Sequence, residues 1–366
     1  MPAARVTLVT GFPNFRASHF VGHLLENQSD DVWAVVSAAD ATDAERYRAR
    51  LPPDQSTRLR FFSGDAAAID MGLSGKEYRE LCSAVGCIQH LAQIGAGTGS
   101  RESCEAVNIG DMREVLELAR AAARLESLVV HSSLAVSGDR QGDVTEAELE
   151  LGQRFPGPES FTLARAELMA RRRSDRLPIV VLRTGQVVGP STNGRVDTLD
   201  GVYLLILLIL SSPQDLSPLL PDWGDAPLHV VPIDHLVRAA DAVSRSRAAV
   251  GATLQLTDPN PMTVRVSFNR CMKIRERLSA EGLSMPPVGA ALRRDTLLRD
   301  GLQSILWRPR TFINMTFRKV RYGTEVAERL LRDAGLVCPS LESYFEHLVR
   351  HVAQTIANPP PKVAKS

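Results

Sequence analysis

The sequence predicts an α/β fold: a doubly wound parallel sheet with a smaller, mostly C-terminal second domain. Short apolar runs alternate with helical patterns from residue 6 to residue 184. Such alternation makes parallel strands joined by right-handed crossovers. The first run, Val6 to Val9, ends at Thr10-Gly11 and feeds a helix with Phe20, Val21, Leu24 and Leu25 on one face. Beyond residue 184 the alternation yields to sequence rich in Gly, Pro, Ser and Asp around one apolar run, Val202 to Leu210.

Composition narrows the class. The chain has 366 residues, enough for one large domain or two. Its formal net charge is +1, which gives no bulk attraction to nucleic acid or to an anionic membrane. The run from Val202 to Leu210 is too short for a bilayer, which needs ~20 residues; it reads as a buried helix. The cysteines, Cys82, Cys87, Cys104, Cys271 and Cys338, are odd in number and contain no C-x-x-C. That argues against a disulfide framework and a structural zinc site, and for a reducing, cytoplasmic setting. The N-terminus runs straight into a strand, so no signal peptide is expected. Nor is a metal: His90 and His131 end neighbouring strands without ligand spacing.

Taken in order, the apolar runs Val6–Val9, Val32–Val36, Leu59–Phe62, Cys87–Ala92, Leu128–His131 and Ile179–Leu182 read as six strands. Lys76–Ala84, Ser103–Ala123 and Ser160–Arg173 carry helical periodicity between them. Leu228–Val231 and Thr253–Leu256 read as later strands, and Asp234 as the cap of a helix. Met262–Gly282, Thr324–Ala334 and Leu341–Thr355 read as helices. The expected division is a Rossmann-like unit over 1–190 with 227–258 returning to it, a substrate-type unit over 191–226 and 259–355, and a flexible tail over 356–366.

The first strand, turn and helix form the opening unit of a dinucleotide-binding fold. Its turn reads Gly11-Phe12-Pro13-Asn14-Phe15-Arg16-Ala17. Only the first glycine of a G-x-x-G-x-x-G pattern is present. A Cβ elsewhere in the turn hinders close approach of backbone amides to a pyrophosphate. Asn14 tolerates left-handed geometry better than most residues, so the turn itself can persist. An ordinary strand and turn with no ligand is an equal reading of this stretch alone. At the end of the second strand, Ser37-Ala38-Ala39-Asp40 offers no arginine for a 2′-phosphate, and Asp40 is late for a ribose ligand.

Eight segments together resemble an extended short-chain dehydrogenase/reductase of the fatty acyl-CoA reductase and thioester-reductase branch, with degenerate motifs. They are TGFPNFRA (10–17), SGD (63–65), HLAQ (90–93), VVHSSLAVSGD (129–139), GQRF (152–155), LRTGQVVGPSTNG (182–194), LDG (199–201) and VVPIDH (230–235). The resemblance implies an NAD or NADP site. Phosphates would lie on Gly11, Phe12, Pro13, Asn14 and Phe15, adenine near Asp65, and the nicotinamide along Leu91, Ala92 and Gln93. It also implies a Ser-Tyr-Lys set. The serine matches Ser133, and the Tyr-x-x-x-Lys pair falls on Phe161 and Arg165.

Phe161 has no ionisable hydrogen, and Arg165 is no conservative substitute for lysine. Loss of a positioned acid costs ~10²–10⁴-fold in rate. Tyr203, after LDG, is the one substitute phenol to test, against the plainer reading of a half-buried tyrosine on an apolar helix. The N-x-x-G-T pattern of the family appears as Asn108-Ile109-Gly110-Asp111-Met112.

Two functions are therefore expected. The first is a catalytically impaired or non-catalytic homologue that binds, senses or forms complexes, with weak or lost cofactor binding. The second is an active NAD(P)-dependent oxidoreductase with an atypical proton donor. Possible partners are an acyl or other small-molecule ligand, a protein or a second copy, with no nucleic acid and no transmembrane segment.

Overall fold

A computed structural model describes residues 4–95, 99–211, 224–283 and 318–357. Strands β1 (Val6–Thr10), β2 (Asp31–Val36), β3 (Leu59–Ser63), β4 (Val85–His90) and β5 (Ser127–Ser133) are followed by β6 (Gly142–Val144), β7 (Ile179–Thr184), β8 (Gln186–Val188), β9 (Val230–Pro232), β10 (Thr253–Leu256) and β11 (Val320–Tyr322). Seven of them make one sheet in the order β10-β7-β5-β4-β1-β2-β3, and every pair in it is parallel. The order reverses between β1 and β4, where a doubly wound sheet opens its crevice at the strands' carboxyl ends.

Helices cover both faces. On one face, Phe15–Asn27 and Ile233–Ser244 bury Phe20, Val21 and Leu24 with Leu236, Val237 and Ala240. On the other, Gly75–Ala84, Met112–Ala121 and Pro158–Arg171 bury Leu81, Val115, Leu118, Ala166 and Ala170. A separate core lies outside the sheet. Its centre is the helix Gly201–Ser211, apolar on all sides and wrapped by Val264–Ala280 and Leu341–Ala357. A helix apolar all round belongs in a core, and among the described residues no helix is long and apolar enough to cross a membrane.

Several elements differ from expectation. β4 starts at Val85 and ends at His90, so Leu91 and Ala92 leave the sheet. The run from Leu228 yields β9, which pairs with β8 in a small side sheet and not with the central one. Asp234 caps nothing: Pro232 holds the N-cap position, and Asp234 accepts from Ser191 N and Oγ instead, both at 2.8 Å. The single helix expected over Ser103–Ala123 is a short turn, a π-helical segment Glu105–Asp111 and an α-helix from Met112. The last helix runs to Ala357, and residues 358–366 of the expected tail lie outside the described residues.

Candidate active-site cleft

The cleft begins where β1 ends. Gly11 has φ +78°, and a Cβ there would lie 2.7 Å from Ala92 N. Only glycine allows this turn to seat against the segment leaving β4. Asn14 is not left-handed: its φ is −58°. It holds the turn as a cap, with Oδ1 accepting from Ala17 N at 2.9 Å and its own amide donating to Gly11 O at 2.9 Å. Phe12, reached through a cis peptide to Pro13, turns inward between Tyr47 and Phe61, with ring centroids at 5.1 and 5.4 Å. Phe15 lies over His19, and the Pro13 carbonyl accepts from Ser18 Oγ at 2.8 Å.

Arg16 was not singled out from sequence, yet it reaches across the cleft. The Gln93 carboxamide accepts from the Arg16 guanidinium and donates to the His131 carbonyl at 3.1 Å. Burial lowers the Arg16 pKa to about 10, while the charge of Asp200, in the LDG segment, acts to raise it.

The walls behind it are polar and buried. Thr10 Oγ1 accepts from Ala92 N at 3.2 Å and shares a hydrogen bond of 2.9 Å with His90 Nδ1. His131 Nε2 donates to Gln89 Oε1 at 2.9 Å, and its Nδ1 has no partner among the described residues. Burial pushes His90 down to about 4 and His131 well below the ordinary histidine value. Asn108, on the π-helical segment, ties the walls together. It accepts from Ile94 N at 2.8 Å and donates to Ile94 O at 3.2 Å and Thr162 Oγ1 at 2.9 Å. Ala92, Gln93, His131, Ser132 and Leu163 meet around a cavity of about 10 Å³, room for about one water.

Ser133 ends β5, half-buried, with Oγ accepting from Ala135 N at 3.2 Å. Behind it, Ser132 Oγ donates to Glu167 at 2.7 Å, and Glu167 pairs with Arg183 at 2.8 Å, both fully buried. Phe161 and Arg165 are not in the cavity wall. They lie on the exposed side of their helix, where Phe161 is 41% exposed and meets Phe155 at 5.7 Å. Asp65 is exposed, its carboxylate accepting from Ala67 N at 3.0 Å. Leu91 is buried. Ser37 donates to Asp40 at 2.7 Å, so these two satisfy each other.

Tyr203 is fully buried, not half-buried. Its hydroxyl donates to Gly194 O and accepts from Gly189 N, both at 2.8 Å. Tyr322, which does not occupy the family's tyrosine position in the sequence, reaches the turn after Ser133: its Oη lies 2.8 Å from Ser137 Oγ and donates to Leu134 O at 3.2 Å.

A family profile described as male sterility protein, an NAD-binding domain, matches residues 9–240. The chain belongs to that family. Within the male sterility family it is an extended short-chain dehydrogenase/reductase of the thioester-reductase branch.

It is 28% identical over 274 residues to the non-reducing polyketide synthase tazA of Aspergillus terreus, matching 68% of this chain and 10% of that protein. It is 23% identical to the glycine betaine reductase ATRR of Emericella nidulans, over 72% of this chain and 22% of that protein. It is also 21% identical to the Drosophila melanogaster fatty acyl-CoA reductase wat, over 51% and 41%. The chain thus spans from about a tenth to about two fifths of the length of these relatives.

In fold it is similar to the terminal R domain of the myxalamid PKS-NRPS pathway, with TM-score 0.77, 23% identity and 97% and 92% of the two chains covered. It is similar as well to the UDP-glucuronic acid 4-epimerase of Bacillus cereus, solved in complex with NAD, with TM-score 0.65, 18% identity and 96% and 99% covered.

Against the family's dinucleotide, the cleft fits in part. The Gly11 turn keeps the backbone shape for a phosphate at a helix N-terminus. At Gln93, which the resemblance sets beside the nicotinamide, the Arg16 guanidinium donates to the carboxamide, next to a cavity with room for about one water.

Proposed function

We propose that this chain is a reductase-fold protein whose hydride-transfer chemistry is impaired or lost, and which serves in binding, sensing or complex formation. One observation carries the proposal: the positions that match the family's tyrosine and lysine hold Phe161 and Arg165, side chains without a phenol or an ammonium. The lysines of the chain are Lys76, Lys273, Lys319, Lys362 and Lys365, and none falls in the segments that build the cleft. Hydride transfer to a carbonyl builds negative charge on oxygen, which must be protonated or hydrogen-bonded as it forms. Ser133 supplies one hydroxyl for that task.

The division into a dinucleotide-type unit (1–190 with 227–258) and a substrate-type unit (191–226 with 259–355) belongs to the same proposal. So does a reducing, cytoplasmic setting, supported by free thiols at every cysteine. The ligand class is an acyl thioester or related small molecule, by likeness to reductases of that branch.

Titration with NADPH and NADH, followed by thermal unfolding and calorimetry, tests the cofactor side. A ligand at 100 times its dissociation constant stabilises by about 2.7 kcal/mol. We expect a much smaller shift, and no turnover of acyl-CoA substrates. Robust turnover by the native protein, unaffected by Ser133→Ala, would refute this reading. One observation favours the alternative of an active reductase with an atypical donor: the Tyr322 hydroxyl stands on the turn that follows Ser133. Under that alternative Tyr322→Phe abolishes an activity that the native protein shows.

A further inference from the structure

Two opposite charges stand at the cleft without an ion-pair partner. Arg16 sits in the first turn of the helix Phe15–Asn27, and Asp200 sits just before the helix Gly201–Ser211. Each acts on the other through its electrostatic field. Yet neither makes an ion pair among the described residues, with the other or with any third group. A neutral amide holds each one instead. The Gln93 carboxamide accepts from the Arg16 guanidinium, and its nitrogen is pinned to the His131 carbonyl at 3.1 Å. Gln186 Nε2 donates to the Asp200 carboxylate and carbonyl, both at 3.2 Å, and Gln186 Oε1 accepts from Val202 N at 2.9 Å. These ties fix where the two charges stand and neutralise neither. Partial loss of water lowers the pKa of Arg16 to about 10 and raises that of Asp200, the directions expected of charges short of a counter-ion. Both keep access to solvent, Arg16 half-buried and Asp200 exposed. A guanidinium has N–H donors beyond those that the Gln93 oxygen takes, and a carboxylate has lone pairs beyond the one that Gln186 uses.

We infer that Arg16 and Asp200 are the two ends of a site for a small zwitterion, a ligand that carries one carboxylate and one ammonium group, such as an amino acid. The carboxylate lies on the remaining donors of Arg16, and the ammonium on the remaining lone pairs of Asp200. The inference rests on the binding-or-sensing reading and deepens it by naming a ligand class. Charge decides between ligand types. A simple anion gains Arg16 but meets the like charge of Asp200, and a simple cation meets the reverse. A dianion such as phosphate doubles the repulsion at Asp200. Only a ligand with both charges gains at each end. The groups also match in shape, since a guanidinium takes a carboxylate in a forked pair and an ammonium is a compact donor for a carboxylate.

Calorimetric titration of the full-length protein at matched ionic strength tests the site without relying on activity. The probes are L-alanine, β-alanine and 4-aminobutyrate, which set the two charges progressively farther apart. Propionate, ethylammonium and inorganic phosphate are the controls of single sign. We expect at least one zwitterion to bind about tenfold more tightly than every control, or better. Arg16→Leu and Asp200→Asn should each weaken that zwitterion by about tenfold or more. Asp200→Asn should also tighten propionate, by removing a like charge. Arg329→Leu, at an exposed arginine of the helix Glu325–Arg332, should leave all affinities unchanged. Propionate or phosphate binding as tightly as the best zwitterion would overturn the site. So would the absence of any zwitterion binding at millimolar concentration, or an Asp200→Asn variant that binds the zwitterion as the native chain does. If Arg16→Leu does not fold, Asp200→Asn decides alone, since it keeps the side chain's shape at an exposed position. Native thioester reduction would sink the impaired reading while leaving the probe contrast intact. Equal binding of all probes would sink the site and leave that reading standing, so the two failures are distinguishable.

Discussion

Arg16 and Asn14 are the side chains through which we expect the cleft to disfavour a dinucleotide. Asn14 caps its helix through Ala17 N, and its Nδ2 would lie 2.8 Å from a Cβ on Gly11, so it covers the turn that a pyrophosphate needs. Arg16 remains a cation at neutral pH with its pKa near about 10, and it is directed to Gln93, away from the turn's amides. Glycine at an N-cap costs only a few tenths of a kcal/mol relative to asparagine, so Asn14→Gly should fold. Combined with Arg16→Leu, it should bind NADPH about tenfold tighter than the native chain, a gain of about 1.4 kcal/mol. Fluorescence titration of NADPH measures this. Unchanged or weaker binding by the double variant would show that Arg16 assists an anion instead of blocking one.

Among the elements, the small strand β11 and the helix Glu325–Arg332 after it are fastened to the sheet by one buried carboxylate. Glu146 accepts from Gln255 N, Val326 N and Ala327 N at 2.9, 2.7 and 3.0 Å. Glutamine there would keep one acceptor and turn an amide NH₂ toward donors. We expect Glu146→Gln to cost about 1–3 kcal/mol, with amide exchange rising in 320–332 and not in β1. Uniform exchange gains across the chain would argue against a local staple. A second element-level tie is Asn108, and Asn108→Ala should cost about 1 kcal/mol by leaving the part-buried Ile94 N–H and carbonyl unpaired; urea unfolding measures it. These ties also show what sequence could and could not reveal. β1, β2, β3, β7 and β10 were legible because each is an apolar run bounded by turns. The π-helical stretch was not, since its residues read equally well as α-helix. We attribute it to the pull of Asn108 on Ile94 and Thr162, which is tertiary. In the site, the resemblance placed the Tyr-x-x-x-Lys pair on Phe161 and Arg165; both side chains are on the exposed side of their helix, and Leu163 between them lines the cavity.

Across the whole molecule, buried titratable groups give the fold a pH optimum, with two opposing contributions. His90 and His235 are pushed by burial to about 4, and His131 is also lowered. A histidine whose folded pKa is depressed stays neutral in the fold while the unfolded chain takes up a proton below about 6.5. Its contribution is complete above that value and is lost as pH falls toward about 4. Asp111 works in the other direction. Burial first, and then the charge of Asp65, raise its carboxyl to about 7. Its contribution is complete below the ordinary 3.8 and is lost as pH rises through about 7. Between pH 4 and 6.5 five histidines lowered by burial, His229 and His351 among them, oppose three carboxyls raised by it, Asp111, Glu146 and Asp200, so stability should fall on acidification, by about 1.4 kcal/mol per pH unit for each net proton taken up on unfolding. Above about 6.5 the histidines no longer contribute, and stability should decline slightly as pH rises through the raised Asp111 carboxyl at about 7. Urea unfolding at pH 5, 6.5 and 8 should therefore show a maximum near 6.5. His90→Asn, which keeps a polar atom for Thr10, should flatten the acid limb. Asp111→Asn should stabilise the protein at pH 8 and bring no gain at pH 4. If Asp111→Asn instead loses as much stability at pH 8 as at pH 5, the aspartate is held as a carboxylate by its surroundings, and the alkaline limb needs another cause.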